Sequence, residues 1–313
     1  MCPYRVGWLL LVLSYSEGWL LSRSPRRLLS ETTSSRLGLA LGGSELSTSS
    51  SREAAGYDGV VGAMIPPGAR LSLVGSGPGD PDLLTVQALR LIQSASLVVA
   101  DRLISPEILA LVQCELKIAQ KRPGCAEEAQ EELYQWVADA LRQGRHVVRL
   151  KIGDPFLFGR GGEEVLYFRA LGVEATVAPG ISSSYSAPLA ACIPLTHRGV
   201  SNQVLISTGY GRDLAKIDLP TFAADRTVVL LMAVGRLDEI SANLTSSEMG
   251  YPKATPVAIV ENATTPKQRT LLGTLETIAD VARAQNVKAP ACIIVGDVVN
   301  VLRLGLGNAP PES

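Results

Sequence analysis

From Arg70 onward, short apolar segments of the chain alternate with segments whose apolar residues recur at helical spacing. The first pair is Leu71–Val74, which has a strand pattern, and Leu83–Ile92, which has a helical pattern. Such alternation is typical of a mainly parallel sheet that carries helices on both faces. The sequence therefore predicts an α/β fold.

The alternation runs through two series, separated by a predicted linker at Pro194–Ser201. In the first series we predict strands at Leu71–Val74, Leu97–Ala100, Leu116–Ala119, His146–Leu150 and Glu174–Ala178, with helices at Leu83–Ile92, around Leu109, at Glu127–Leu141 and at Glu163–Leu171. In the second we predict strands at Val204–Ser207, Thr227–Met232, Pro256–Val260, Arg269–Gly273 and Ala291–Val295, with helices near Leu237–Leu244 and Leu275–Ala284. This predicts an N-terminal α/β domain over 69–196, a C-terminal α/β domain over 197–305 and a tail over 306–313.

The first 68 residues lack this alternation and are rich in serine and arginine. The apolar run Trp8–Leu13 is too short to span a bilayer. One interpretation is a disordered leader or an artefactual extension of the reading frame. The other is an organelle-targeting peptide, against which Glu17, Glu31 and Glu45 argue. The location therefore stays open between the cytoplasm and, if the segment is a targeting peptide, a plastid or mitochondrion.

Composition restricts the functional class. Apolar residues make up 46% of the 313 residues, enough for a packed core. The formal net charge of −1 argues against a protein that binds nucleic acid through bulk positive charge. Five scattered cysteines and two histidines predict neither a disulfide framework nor a metal site. We also expect no membrane partner.

A glycine-rich loop, Val74–Asp82, closes the first predicted strand and opens a helix. Its glycines allow a ligand to approach the backbone closely. A dinucleotide site, however, requires a third glycine where this chain has Asp80, whose charge would repel a pyrophosphate. Pro78 also removes an N–H group that would bind phosphate. The loop suits a ligand without phosphate, or no ligand at all.

Beyond this loop, several blocks of the chain resemble the tetrapyrrole methylase family, in particular its members that methylate uroporphyrinogen III. The blocks occur in the family's order and cover roughly Arg70 to Leu304. They are Val74–Asp82, Asp101–Ser105, Arg149–Glu164, Pro179–Ser183 and Pro194–Arg198, with shorter matches at Val260–Asn262 and Lys267–Arg269.

The resemblance implies two αβα domains with S-adenosylmethionine (SAM), the methyl donor, in the cleft between them. It implies methylation of uroporphyrinogen III at C2 and C7, giving precorrin-2 through precorrin-1 for siroheme biosynthesis, with a contribution to cobalamin left open. It also implies a homodimer.

Individual site residues follow from the same resemblance. Asp101 is expected to accept a proton and Lys121 to donate one. The expected SAM contacts are Pro78, Ile152, Gly153, Asp154, Leu157, Ser182, Ser183, Met232 and Ala263. Because the substrate carries many carboxylates and arginine pairs well with them, Arg160 and Arg198 are expected to bind it as a group. Arg102, Arg149, Lys151, Lys267 and Arg269 are further basic residues in or beside the blocks.

The chain departs from the family pattern at Ala100, Ile152, Ala233 and Ala263, of which the last three replace glycines. Such replacements matter if the site requires positive φ. Two alternatives therefore remain: another tetrapyrrole or precorrin methylase or a diphthine synthase, and a non-catalytic protein that binds SAM or a tetrapyrrole. A nicotinamide dehydrogenase is a more distant third.

Overall fold

The computed structural model describes residues 64–119, 126–210 and 218–304, and over 126–129 it describes the backbone only. All of them belong to one compact unit, Asp58–Ser313. Residues 1–63 of the leader and the whole tail lie outside the described residues, as does Lys121.

The first sheet of the described chain consists of parallel strands in the order β3-β2-β4-β1-β5. Their bounds are β1 Arg70–Gly75, β2 Leu97–Ala100, β3 Glu115–Ile118, β4 His146–Lys151 and β5 Thr176–Ala178. The predicted strands all lie in these positions, within two residues at each end.

Helices cover both faces of this sheet. They are α1 Val86–Ser94, α2 Pro106–Leu109, α3 Ala126–Arg142 and α4 Gly161–Ala170. Because strand residues alternate between faces, Leu73 and Val147 pack with α3 and α4, whereas Val98 and Val148 pack with α1 and α2. The sheet is thus buried on both sides, as the continuous apolar strands predicted.

The second sheet has the order β6-β7-β10-β8-β9 among the described residues. Its strands are β6 Gln203–Thr208, β7 Arg226–Leu231, β8 Pro256–Glu261, β9 Arg269–Thr274 and β10 Ala291–Val295. Only β6 and β7 are parallel, and the other three pairs are antiparallel. The prediction of a mainly parallel sheet is therefore wrong for this half of the fold. Apolar periodicity places residues on a face of a strand but does not determine the direction of its neighbour.

The helices of this half are α5 Ser183–Ala190, α6 Leu237–Leu244, α7 Ile278–Ala284 and α8 Val298–Leu304. One face of the sheet packs against α6 and α7, and the other packs against α5 and α8. Helix α5 follows the first sheet in the chain but contacts β7 and β10 of the second. The division at 196/197 remains a prediction. No described helix is both long and apolar enough to cross a bilayer.

Candidate active site

The carboxyl ends of β1 and β4 form a topological switch point in the first sheet. The connection after β1 passes through α1 on one face, whereas the connection after β4 passes through α4 on the other. Connections that leave adjacent strands toward opposite faces open a crevice, where such sheets bind ligands. The glycine loop follows β1 here and the segment 152–154 follows β4, so Pro78, Ile152, Gly153 and Asp154 come from the two loops at this point.

The loops at the strand ends pack backbone against backbone at three glycines, Gly75, Gly153 and Gly180. A Cβ at Gly75 would lie 2.5 Å from the Cα of Gly180, and one at Gly180 would lie 2.0 Å from the carbonyl oxygen of Gly153. Gly77 and Gly153 also exchange backbone hydrogen bonds of 3.2 and 2.9 Å. A side chain at Gly75 or Gly180 would therefore require the backbone to move.

Gly153 differs from these two neighbours because space is open beside it. Its φ is +65°, and a Cβ there would meet only the Cα of Ser182, at 3.9 Å, within 4 Å. A group bound here would face main chain rather than side chains. This arrangement fits SAM, which carries no phosphate and which the resemblance places on Gly153.

Asp154 and Ser182 have structural roles at this edge. The Asp154 carboxylate accepts hydrogen bonds from the backbone N–H groups of Phe156 at 2.9 Å and Gly180 at 3.2 Å, which ties the loops after β4 and β5 together. Ser182 Oγ accepts from the N–H of Ser184 at 3.2 Å and caps α5, which begins at Ser183. Leu157 is partly exposed in the loop after β4. The ligand contacts of these residues remain predictions.

The second sheet presents a corresponding edge. Strands β7 and β8 run in the same direction because both are antiparallel to β10, so their carboxyl ends meet at one edge. Met232 follows β7, has a φ of +53° and is half exposed. Ala263 follows β8 and is buried between Asn262 and Thr264, whose φ values are both positive.

The two edges are in contact. The backbone N–H of Asp80 donates to Thr264 Oγ1 at 3.3 Å, and a Cβ at Gly79 would lie 2.7 Å from Cγ2 of Thr265. The loop after β1 thus touches the loop after β8. Pro78 and Ala263, predicted from distant parts of the chain, each lie within two residues of this contact.

Asp101 lies at the carboxyl end of β2, where it is held by a buried arginine. Arg149 Nη2 donates to Asp101 Oδ1 at 2.5 Å. The Arg149 side chain is 0% exposed and that of Asp101 is 20% exposed. Asp101 is therefore the member of this pair that solvent or a substrate can reach, as a proton acceptor requires.

Lys151 and Glu164 form a further ion pair beside Arg149, and both side chains are buried. Lys151 Nζ contacts Glu164 Oε1 at 2.5 Å, and Arg149 Nε lies 3.1 Å from Glu164 Oε2. Burial, and then the charge of Arg149, lower the pKa of Lys151. Burial opposes the charge of Arg149 too, but the carboxylates of Asp101 and Glu164 raise its pKa above the ordinary value. Arg149 and Lys151 face this cluster and not the solvent.

The structure does not bring Arg160 and Arg198, the predicted substrate-binding pair, together at the strand ends. Arg160 precedes α4 at the carboxyl edge of the first sheet and forms an exposed ion pair with Glu163, at 2.6 Å. Arg198 lies in a turn before β6, at the amino edge of the second sheet. The six residues of β7 put that edge about 20 Å from Met232. Substrate binding by these arginines remains a prediction.

The glycine replacements do not strain the backbone. Ile152, Ala233 and Ala263 all lie outside the positive-φ region, and Ala100 is a buried strand residue. Positive φ falls instead on the neighbours Gly153 and Met232. These departures therefore leave the local conformation intact.

Four residues of this region were not predicted from the sequence as site residues: Glu164, Gly180, Thr264 and Thr265. For Glu164 a signal was available, because Arg149 and Lys151 are two apart on an apolar strand and so share a buried face. Two cations on a buried face require an anion. No comparable signal indicates that Thr264 and Thr265 touch the glycine loop, since that contact depends on how the sheets meet.

Two sheets whose strand ends touch, with glycines at the strand ends of the first sheet and a paired carboxylate at its margin, define a two-sheet α/β enzyme with a small-molecule site between its sheets. The family model described as Tetrapyrrole (Corrin/Porphyrin) Methylases matches residues 70–279. The chain belongs to the tetrapyrrole methylase family, which confirms the resemblance.

Individual relatives agree with this. The chain is 45% identical to a probable uroporphyrinogen-III C-methyltransferase of Schizosaccharomyces pombe, over 74% of this chain and 47% of that protein. It is 42% identical to a uroporphyrinogen-III C-methyltransferase of Methanocaldococcus jannaschii, over 74% of this chain and 98% of the relative. The chain thus spans about half the length of the first relative and nearly all of the second.

A solved structure is similar as well. It is a uroporphyrin-III C-methyl transferase from Thermus thermophilus in complex with S-adenyl homocysteine, 40% identical to this chain. The similarity covers 74% of this chain and 99% of that one, with a TM-score of 0.65. The predicted fold class, two α/β halves, is thereby confirmed.

Proposed function

We propose that the protein transfers methyl groups from SAM to C2 and C7 of uroporphyrinogen III, giving precorrin-2 through precorrin-1 for siroheme biosynthesis. The observation that carries the proposal is the contact between the two strand edges. It brings the segments after β1, β4, β5, β7 and β8, from which the predicted SAM contacts come, into one region. The names of the relatives support the choice of substrate.

Asp101 is the chain's contribution to the chemistry. SAM, when bound, supplies an electrophilic methyl carbon. Attack by a pyrrole carbon on that methyl carbon would break its bond to sulfur and release S-adenosylhomocysteine. The ring would then carry positive charge until it loses a proton. The Asp101 carboxylate, partly exposed and held by Arg149, stabilises that charge and accepts the proton. Positioning of the two reactants by the backbone around Gly153 contributes to the rate enhancement.

Incubation of the purified full chain with uroporphyrinogen III and methyl-labelled SAM tests this function. We expect label in the ring, and mass spectrometry should show the addition of two methyl groups. Calorimetric binding of SAM without ring label would favour the non-catalytic alternative. Labelling of a later precorrin or of a diphthamide precursor in preference to uroporphyrinogen III would favour the other methylases.

The assembly we propose is a homodimer. The chain exposes large apolar side chains, among them Phe156, Leu166 and Leu189, and burial of such residues stabilises association. Light scattering on the eluting protein should give twice the mass of the chain. A monomer at micromolar concentration would contradict this part of the proposal.

A further inference from the structure

Four charged side chains from the end of β4, from α4 and from the residue after β2 form one chain of contacts near the carboxyl edge of the first sheet. In order they are Lys151, Glu164, Arg149 and Asp101. The first three are at most 4% exposed, and only Asp101 reaches the surface. The buried members therefore act on a ligand only through Asp101.

Arg149 has no freedom to turn within this cluster. Its Nη1 donates to the carbonyl oxygens of Val99 at 3.2 Å and Leu150 at 3.0 Å. Its Nη2 donates to Asp101 and, at 3.3 Å, to Glu164. A planar guanidinium with both terminal nitrogens engaged presents one fixed nitrogen to Asp101.

The charges of the cluster also balance. Among these four side chains two cations face two carboxylates, and a buried charge without a partner would be strongly destabilising. If Lys151 and Glu164 were absent together, the Asp101–Arg149 pair would still be neutral, but Arg149 would lose the carboxylate that fixes one side of its fork. Lys151 and Glu164 thus help to orient Arg149 and add no net charge to the cluster.

We propose that Lys151 and Glu164 are positioning residues for the Asp101 carboxylate and act on it through Arg149. Arg149 favours the charged form of that carboxylate, and Lys151 and Glu164 keep the guanidinium of Arg149 oriented toward it. This inference rests on the proposed function, in which Asp101 accepts the proton.

Two variants separate the two effects. Arg149→Met removes a cation and leaves the neutral Lys151–Glu164 pair in place. Without that cation, the acidic limb of the pH profile of kcat should move up by about one pH unit or more. The double variant Glu164→Gln with Lys151→Met retains the Asp101–Arg149 charge balance. Here kcat should fall about tenfold or more, while the acidic limb and the SAM affinity stay near those of the parent protein.

Glu174→Gln is the matched control, since Glu174 forms an exposed pair with Arg169 on the same half of the fold. It should leave both readouts unchanged. Circular dichroism and SAM calorimetry on each variant report folding. A double variant with the parent kcat, or an Arg149→Met variant with an unmoved acidic limb, would overturn the proposal.

A carboxyl NMR titration provides a readout without turnover. In protein labelled with ¹³C at aspartate, the resonance lost in Asp101→Asn identifies Asp101. Its titration midpoint should be higher in Arg149→Met than in the parent, and an equal midpoint would contradict the inference even if the double variant did not fold. If the midpoint rises but uroporphyrinogen III is not methylated, the proposed function fails and the coupling of Arg149 to Asp101 stands.

Discussion

Gly180 is the residue at which one added methyl group would meet the most rigid surroundings. Its Cβ would lie 2.0 Å from the carbonyl oxygen of Gly153, which is backbone and cannot rotate away. The absence of a side chain at Gly180 is therefore a requirement of the strand-end contact and not of a turn, since the φ of Gly180 is not positive.

Gly180→Ala should destabilise the fold by about 1–3 kcal/mol, because the backbone must move to admit the methyl group. It should also weaken SAM binding, since Gly153 would move with it. Denaturant unfolding and calorimetry measure the two effects. Gly162→Ala in α4 is the control: a Cβ there meets nothing within 4 Å, so stability should stay equal or rise. Equal stability of both variants would contradict the close approach of Gly180 to Gly153.

Asp101→Asn should lower kcat for ring methylation by about 10²-fold or more, because the amide neither accepts the proton nor carries the charge. SAM affinity should change little. Asp139→Asn, on the exposed side of α3, should retain full activity. An Asp101→Asn variant with more than a tenth of the parent rate would remove Asp101 from the catalytic role.

At the scale of elements, the start of β4 is fixed by a buried histidine. His146 Nδ1 lies 3.1 Å from the carbonyl oxygen of Ser94 and Nε2 lies 3.0 Å from Ser72 Oγ. The carbonyl can only accept, so Nδ1 carries the proton and Nε2 accepts from the hydroxyl. The imidazole is thus held between the end of α1 and β1.

Burial lowers the pKa of His146, so the folded protein binds its proton less readily than the unfolded chain. Below the ordinary histidine value of about 6.5, the unfolded state gains that proton first, and the free energy of unfolding should fall as the pH falls. Urea unfolding between pH 5 and about pH 8 measures this. His146→Gln should flatten the dependence, whereas His197→Gln, in the turn before β6, should preserve it. An unchanged slope in His146→Gln would exclude His146 as the source.

The elements differ in how far the sequence determined them. The strands and α6 were predicted because their apolar periodicity is strong. Helix α5 was not predicted, since its serines and Pro188 disfavour a helix and it forms because β7 and β10 pack against it. The short apolar segment of α8 carries too few residues to distinguish a helix from a strand.

The site could be predicted only in part, for a related reason. Motifs located the strand-end loops, and the structure brings them to one region. The partners of Arg149 and the direction of β10 depend on contacts between distant residues, which periodicity within a segment does not contain. Arg198 was grouped with Arg160 by block and charge alone, and the fold places it at the other edge of a sheet.

At the scale of the whole molecule, the contact of Asp80 with Thr264 implies that both sheets contribute to one ligand site. S-adenosylhomocysteine at 100 times its Kd should raise the free energy of unfolding by about 2.7 kcal/mol. Hydrogen exchange should slow in the loops after β1 and β4 and, at the same ligand concentration, in the loops after β7 and β8. Protection confined to one sheet would show that the edges do not share the ligand.

Strand β4 imposes a further restriction on how the chain can vary in length. Arg149 and Gly153 are four residues apart, and the first contacts the Asp101 carboxylate while the second borders the open space at the strand ends. One inserted residue between them would shift Gly153 away from its partner Gly77 while Arg149 stays in place. The contact with Asp101 would then be kept while the contact between the strand-end loops is lost. An insertion at the turn around Gly144 would leave this spacing untouched, and related chains should accordingly differ in length before β4 and not within it.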